Sequence, residues 1–274
     1  MTSETKTLME LNFCSLSSGS SGNCYYIGNG FHGILIDAGI SASSIRKFLK
    51  DMNISMQSIM GVLITHNHSD HIKGLEVLTR KNSLPAFTTR NIWESIQGPQ
   101  NKISKDCIRE IPLQQRFHLA GFDIEAFPVY HDAPETIGFH ICATGKKITV
   151  VTDLGHICQT AATYIKEANL LVIEANYDEQ MLLNGSYPYY LKKRIQSDTG
   201  HLGNLQTSSF LADIVNDNLS HICLGHLSKN NNTPEKALQT LQQAFAERDI
   251  KLNEKQRIWI LNRNVPTEMI RLSD

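Results

Sequence analysis

The chain has no C-x-x-C pair, no long apolar run and no surplus of basic charge, and each absence removes a class of protein. Its six cysteines, Cys14, Cys24, Cys107, Cys142, Cys158 and Cys223, are scattered along 274 residues. That spacing suits reduced core thiols rather than a disulfide framework. No stretch approaches the roughly 18 apolar residues that a membrane span needs. The opening segment, Met1 to Glu10, is polar and mixed in charge and lacks the apolar centre of a signal peptide. These features together predict a cytoplasmic protein. The net charge is −1, whereas a protein that grips a nucleic acid along a track carries a basic surplus. A nucleic-acid substrate would therefore be held locally, and Lys192, Lys193 and Arg194 form the best local cluster. The plainer reading of that cluster is a solvated helix face.

A hydrophobic fraction of 41% is enough to bury a large core. With no linker in view, residues 1–274 are expected to form one domain. Strands are predicted at Cys24–Ile27 and Gly33–Asp37, after a Ser/Gly-rich loop at Ser17–Gly22. Further strands fall at Gly61–Thr65, Phe122–Val129, Ile137–Ala143 and Lys147–Thr152, the last two flanking a Gly145 turn. Leu170–Glu174, Ile222–Gly225 and a final strand at Arg257–Leu261 complete the set. Helices are predicted at Ala42–Asp51 with Ser41 as N-cap, from about Ile72, at Thr160–Ala168, Pro188–Gln196 and Asn204–Asn216. A last helix runs from Pro234 with Thr233 as its cap. The strands cluster in two sets, which predicts an α/β protein built as an αββα sandwich of two mixed sheets with helices outside.

The segment Thr65-His66-Asn67-His68-Ser69-Asp70-His71 reads H-x-H-x-D-H and lies just past an apolar strand. Imidazole and carboxylate are the ligands that borderline divalent metals prefer. His66 and His68, two apart, project to one side, and a turn into a helix brings Asp70 and His71 to a second position. One loop could thus serve two neighbouring ions. Three more candidates also follow apolar strands: His131, Asp153 and His226. Any one of them alone is an ordinary loop residue, but together they repeat the placing of the first loop.

The order H-x-H-x-D-H, His, Asp, His resembles the metallo-β-lactamase superfamily. More narrowly, the chain is similar to the YycJ (WalJ) family. Ser15–Cys24, Asp37-Ala38-Gly39, His66–Leu75, His131-Asp132-Ala133, Gly138-Phe139, Thr152–Gly155, Glu174–Asp178, Gly200-His201-Leu202 and His226–Asn231 carry that likeness. It runs from about Phe13 to Asn232. The resemblance implies that His66, His68 and His131 hold one metal and that Asp70, His71 and His226 hold the other, with Asp153 bridging. The implied ions are zinc or manganese, and the ligand set also admits iron.

Two ions sharing a carboxylate acidify water towards neutrality and neutralise charge on an attacked phosphoryl or carbonyl oxygen. Asp70 is expected as both ligand and proton acceptor. Asp37 either orients a ligating imidazole through a hydrogen bond or fixes a turn. By resemblance to the tRNA 3′-processing phosphodiesterases, His201 is expected to protonate the leaving oxygen, and the alternative is a helix-capping histidine. Gly200 and the first amides of the following helix could cradle a phosphate, and Lys229 and Asn230 could contact a neighbouring one. Tyr187, Tyr189 and Tyr190 beside the basic cluster suit a single strand by stacking, or pack on the sandwich. The family resemblance implies a 5′-to-3′ exodeoxyribonuclease with a role in DNA repair, acting on single-stranded or duplex-end DNA. The competing functions are a small-molecule hydrolase, such as a cyclic phosphodiesterase or a glyoxalase-II-like thioesterase, and a non-catalytic binding module.

Overall fold

The computed structural model describes residues 10–98 and 102–272; most of the opening stretch, read above for a leader, lies outside them. In chain order the strands are β1 (Leu11–Ser17), β2 (Cys24–Gly28), β3 (Gly33–Ile36), β4 (Ile59–Leu63), β5 (Ala86–Thr88), β6 (Ile108–Glu110) and β7 (Arg116–Leu119). They continue as β8 (Phe122–Val129), β9 (Thr136–Ala143), β10 (Lys146–Val151), β11 (Leu170–Glu174), β12 (His221–Gly225), β13 (Arg257–Ile260) and β14 (Ile270–Leu272). The α-helices are α1 (Ala42–Asp51), α2 (Ser69–Ile72), α3 (Leu75–Asn82), α4 (Arg90–Ile96) and α5 (Gln159–Lys166). After them come α6 (Glu179–Asn184), α7 (Tyr189–Ile195), α8 (Asn204–Ile214) and α9 (Pro234–Glu247). None is long and apolar enough to cross a membrane.

Two sheets form, ordered β14-β1-β2-β3-β4-β5-β6 and β13-β12-β11-β10-β9-β8-β7. Each has an antiparallel half and a parallel half: β3 to β6 run parallel, as do β10 to β13. This is the expected sandwich of two mixed sheets. Strands β2, β3 and β11 are buried at every residue, as strands covered on both faces must be. Phe13, Tyr25, Phe122 and Phe139 fill the space with no exposed surface. At roughly 25 cal/mol for each Å² of apolar surface removed from water, such rings dominate what holds the layers together.

Local capping follows the sequence. Ser41 Oγ accepts the Ser44 amide at 3.1 Å, and Thr233 Oγ1 accepts that of Lys236 at 3.2 Å ahead of Pro234. Several boundaries differ. The helix expected from Ile72 begins at Ser69, so Asp70 and His71 lie inside α2. Thr65, expected in a strand, leaves the ladder after β4 and donates to Asp37 instead. The expected last strand is followed by β14, which returns to the first sheet beside β1. Strands β5, β6 and β14 have three residues each, too few to show a period of two.

Candidate metal centre

The strands that carry the candidate residues end at one edge of the sandwich. Asp37 follows β3, the His66–His71 segment follows β4, His131 follows β8, and Asp153 and His226 follow β10 and β12. Asp37, Asp153 and His226 have φ of 59°, 57° and 52°. Non-glycine residues rarely adopt this left-handed backbone. In each case it turns the chain sharply where the ladder stops.

All seven candidate ligands are brought together. The ligating atoms of His66, His68 and His131 lie within 4.8 Å of one another, as do those of Asp70, His71 and His226, and those of His66, His71 and Asp153. Asp153 Oδ2 is 3.2 Å from His71 Nε2, and its Oδ1 is 3.8 Å from His131 Nε2. Asp153 thus touches both groups. Asp70 Oδ2 lies 3.7 Å from His71 Nε2 and 3.6 Å from His226 Nε2.

The far side of each of four rings is fixed by the protein. Asp37 Oδ2 meets His71 Nδ1 at 2.6 Å, and Glu174 Oε1 meets His226 Nδ1 at 2.8 Å. The Gly200 carbonyl accepts from His131 Nδ1 at 2.9 Å, and Thr65 Oγ1 lies 3.0 Å from His66 Nδ1. A carboxylate or carbonyl can only accept, so Nδ1 of His71, His226 and His131 carries the hydrogen. In His226 and His66, Nε2 is buried without a hydrogen-bond partner, as is Asp153 Oδ2. Orphaning a buried polar atom costs about 1–3 kcal/mol, so three that converge call for an occupant. Imidazole nitrogens beside carboxylates suit divalent cations.

The charge balance agrees. Burial holds His66 well below its ordinary pKa, with His71 pushing the same way, and so keeps it neutral. Burial and His131 lower His68. Against the effect of burial, His226 and His71 draw Asp153 well below the carboxylate range. Also against burial, Asp153 and Asp37 raise His71 to about 10. Without a metal, protons on imidazoles balance the carboxylates, and a cation would displace them.

Asp37 faces both the His71 ring and the turn after β4. Beyond His71, its Oδ1 accepts the Thr65 amide at 2.9 Å and fixes the turn. His201 is not a helix cap: Gly203 caps α8, and His201 precedes it. The phosphate cradle expected there is also absent. The Gly203, Asn204 and Leu205 amides donate to Gln206, Tyr177 and Glu179, and the Gly200 amide donates to Ser197. His201 instead stands at the centre, its ring 4.9 Å from that of His131 and 5.4 Å from that of His226. Lys229 and Asn230 are exposed, with Asn230 Nδ2 donating to Tyr187 Oη at 3.1 Å. The basic cluster separates: Lys192 Nζ is spent on the Leu183 and Gly185 carbonyls, while Arg194 pairs with Asp132.

Sequence reasoning gave no role to Glu174. Fully buried, it accepts His201 Nδ1 (2.7 Å) and His226 Nδ1 on Oε1, and the Leu154 and Leu202 amides on Oε2. A lone carboxylate closing an apolar strand was the available signal. Two residues near the Ser/Gly-rich loop were also missed. Ser18 Oγ accepts the His226 amide at 2.9 Å, and the Asn23 amide donates to the Asp70 carbonyl at 2.8 Å. Asn23 Nδ2 also lies 3.0 Å from His71 Nε2.

The fold and the cluster define a protein of the β-lactamase superfamily, and the model of the beta-lactamase superfamily domain matches residues 32–222. The chain is 34% identical to the exodeoxyribonuclease YycJ of Bacillus anthracis, over 95% of its own length and 99% of the relative's. It is 33% identical to the exodeoxyribonuclease WalJ of Streptococcus pneumoniae, over 86% and 88%. Among solved structures, YhfI of Bacillus subtilis superposes with a TM-score of 0.69 at 14% identity, covering 94% of this chain and 99% of that one. Zinc-bound PqqB of Methylobacterium extorquens gives 0.65 at 18%, again over 94% and 99%. The chain belongs to the metallo-β-lactamase superfamily and, within it, to the family of YycJ and WalJ.

Proposed function

We propose that the protein is a metal-dependent phosphodiester hydrolase that digests DNA from the 5′ end; its relatives YycJ and WalJ are named as exodeoxyribonucleases. His66, His68 and His131 would hold one divalent cation, Asp70, His71 and His226 a second, and Asp153 both. Zinc and manganese are the leading ions, and iron suits the same donors. When bound, such cations supply Lewis acidity to a phosphoryl oxygen and make water acidic enough to attack at neutral pH.

The carrying observation is His201. Its side chain is 21% exposed, and Nδ1 is pinned by Glu174, which leaves Nε2 to face a substrate. Burial would lower its pKa, but Glu174 outweighs burial and raises it, which favours the protonated ring that a general acid needs. His201 Nε2 donates that proton to the departing oxygen, and Asp70 accepts one from the attacking water. An alkoxide needs such an acid to leave, whereas a thiolate does not. His201 therefore favours a phosphodiester over the thioester of a glyoxalase-II-like enzyme. All six cysteines are free thiols, which supports a cytoplasmic setting. The family likeness supports a role in DNA repair, and the shared edge of the two sheets supports one domain over residues 1–274.

The test is digestion of 5′- and 3′-labelled single-stranded DNA and RNA with zinc or manganese. Release of a labelled mononucleotide from the 5′ end of DNA is expected at the earliest times. His201→Ala should lower DNA turnover by about 10²–10⁴-fold at unchanged metal content. It should spare methyl p-nitrophenyl phosphate, whose leaving group needs no acid. Full DNA cleavage by that variant, or a wild-type protein that hydrolyses thioesters and no nucleic acid, refutes the proposal.

A further inference from the structure

Helix α7 spans the rim of the candidate centre and is anchored at both ends. Just before it, Tyr187 Oη accepts from Asn230, in the loop that follows His226. Near its other end, Arg194 Nε donates to Asp132, whose other oxygen lies 3.1 Å from His131 Nε2. The helix therefore bridges the loops that carry His226 and His131. Lys192, tied to the Leu183 and Gly185 carbonyls, fixes it against the end of α6.

The three tyrosines of this segment divide. Tyr187 and Leu191 pack against a small core of Tyr177, Leu182 and Ile195. Tyr189 and Tyr190, between the two anchors, are 75% and 74% exposed. Adjacent aromatic rings left in water on a short, braced helix contribute little to the fold and cost hydration. Lys193 Nζ lies over one face of the Tyr189 ring, 5.6 Å from its centroid, a cation–π contact that brings positive charge to the pair and leaves the opposite face for stacking.

We propose that Tyr189 and Tyr190, with Lys193, form a stacking platform for a single strand of nucleic acid at the entrance to the metal centre. This rests on the phosphodiesterase proposal above and names its substrate as single-stranded. The occupant follows from chemistry and position. Every base has a π-face, a phosphate between bases would meet the Lys193 ammonium, and the helix that carries the rings is tied to the loops of the centre. A duplex buries its bases and offers no face to these rings. Arg194, neutralised by Asp132, orients the helix and contributes little to binding.

The test is binding of a phosphorothioate single strand, its abasic counterpart and a blunt duplex to metal-loaded protein by fluorescence anisotropy, alongside turnover of methyl p-nitrophenyl phosphate. Tyr189→Ala and Tyr190→Ala should each weaken the single strand about tenfold, the scale of one lost base stack, and the double variant more. The abasic strand and the duplex should bind alike to all forms. On cleavable single strands KM should rise with kcat unchanged, and Tyr→Phe variants should restore affinity. The platform is refuted if the double variant binds the single strand as wild type does. It is also refuted if the abasic strand suffers equally, or if turnover of the small ester falls with binding. Absence of turnover by wild type on any phosphodiester would defeat the phosphodiesterase proposal instead, while the binding series still decides the platform.

Discussion

Replacing Glu174 by glutamine changes one oxygen to an amide and leaves the volume intact, yet it should cost both stability and chemistry. The carboxylate takes two imidazole donors and Asn176 Nδ2 on one oxygen and two backbone amides on the other, all in a fully buried pocket. Glutamine keeps one accepting oxygen. If that oxygen faces His201 and His226, its NH₂ points at the Leu154 and Leu202 amides and leaves two buried donors unsatisfied. At about 1–3 kcal/mol for each orphaned donor, the loss is about 2–6 kcal/mol. For a chain of this size that corresponds to roughly 5–20 °C in Tm. If the amide flips, His226 and His201 lose their acceptor and the Nδ1–H tautomer is no longer enforced. Differential scanning fluorimetry reads the first effect. Metal content and single-turnover cleavage of labelled DNA read the second. A Glu174→Gln protein with unchanged Tm, metal content and cleavage rate would show that the carboxylate does not fix these rings.

Asp37→Asn removes the acceptor that sets the His71 tautomer; losing such a partner typically costs about 10–100-fold in metal affinity. Chelator competition should show that drop, with His71→Ala more severe. Gly39→Ala should fail to accumulate as folded protein, because a Cβ there would lie 1.6 Å from the Asp70 carbonyl oxygen; a soluble, metal-binding Gly39→Ala protein would contradict the packing. His140 lies far from the metal-binding loops in the ladder, buried against Thr149 and Tyr164. Burial, helped by Lys147, lowers its pKa to about 4. The unfolded chain, near 6.5, therefore binds the proton more readily, so stability is full above 6.5, falls as pH drops and levels off below about 4. Between pH 7 and 5 the loss is about 2 kcal/mol, and urea titrations of His140→Gln should show a shallower acid slope than wild type by that amount.

Much of the centre could be read before folding because its ligands lie just past apolar strands, where burial and chemistry leave opposite marks on adjacent residues. An aliphatic run such as Gly61–Ile64 closed by H-x-H-x-D-H is visible without any knowledge of neighbours. The two-layer sheet plan follows from the same runs, since β10, β11 and β12 are aliphatic through their middles. Strands β1, β5, β7 and β14 left weaker marks. β1 mixes Ser and Asn into its run, and β5, β7 and β14 are three or four residues long and are held in place by their neighbours in the sheet.

Partners separated by long stretches of chain could not be read. Glu174 lies 27 residues from His201 and 52 from His226, and nothing in the local pattern says that one oxygen meets both rings. The His226–Ser18 bond spans 208 residues. Such contacts depend on the sheet order, which places β1 of one layer against the end of β12 in the other. The phosphate cradle expected at α8 failed for the same reason. Its amides look free in sequence, but Tyr177 and Glu179 reach them from the preceding segment. Type and spacing therefore identify the groups that can ligate a cation. Only the fold determines which of their nitrogens and oxygens remain unspent, and Nε2 of His66, Nε2 of His226 and Oδ2 of Asp153 are buried among them.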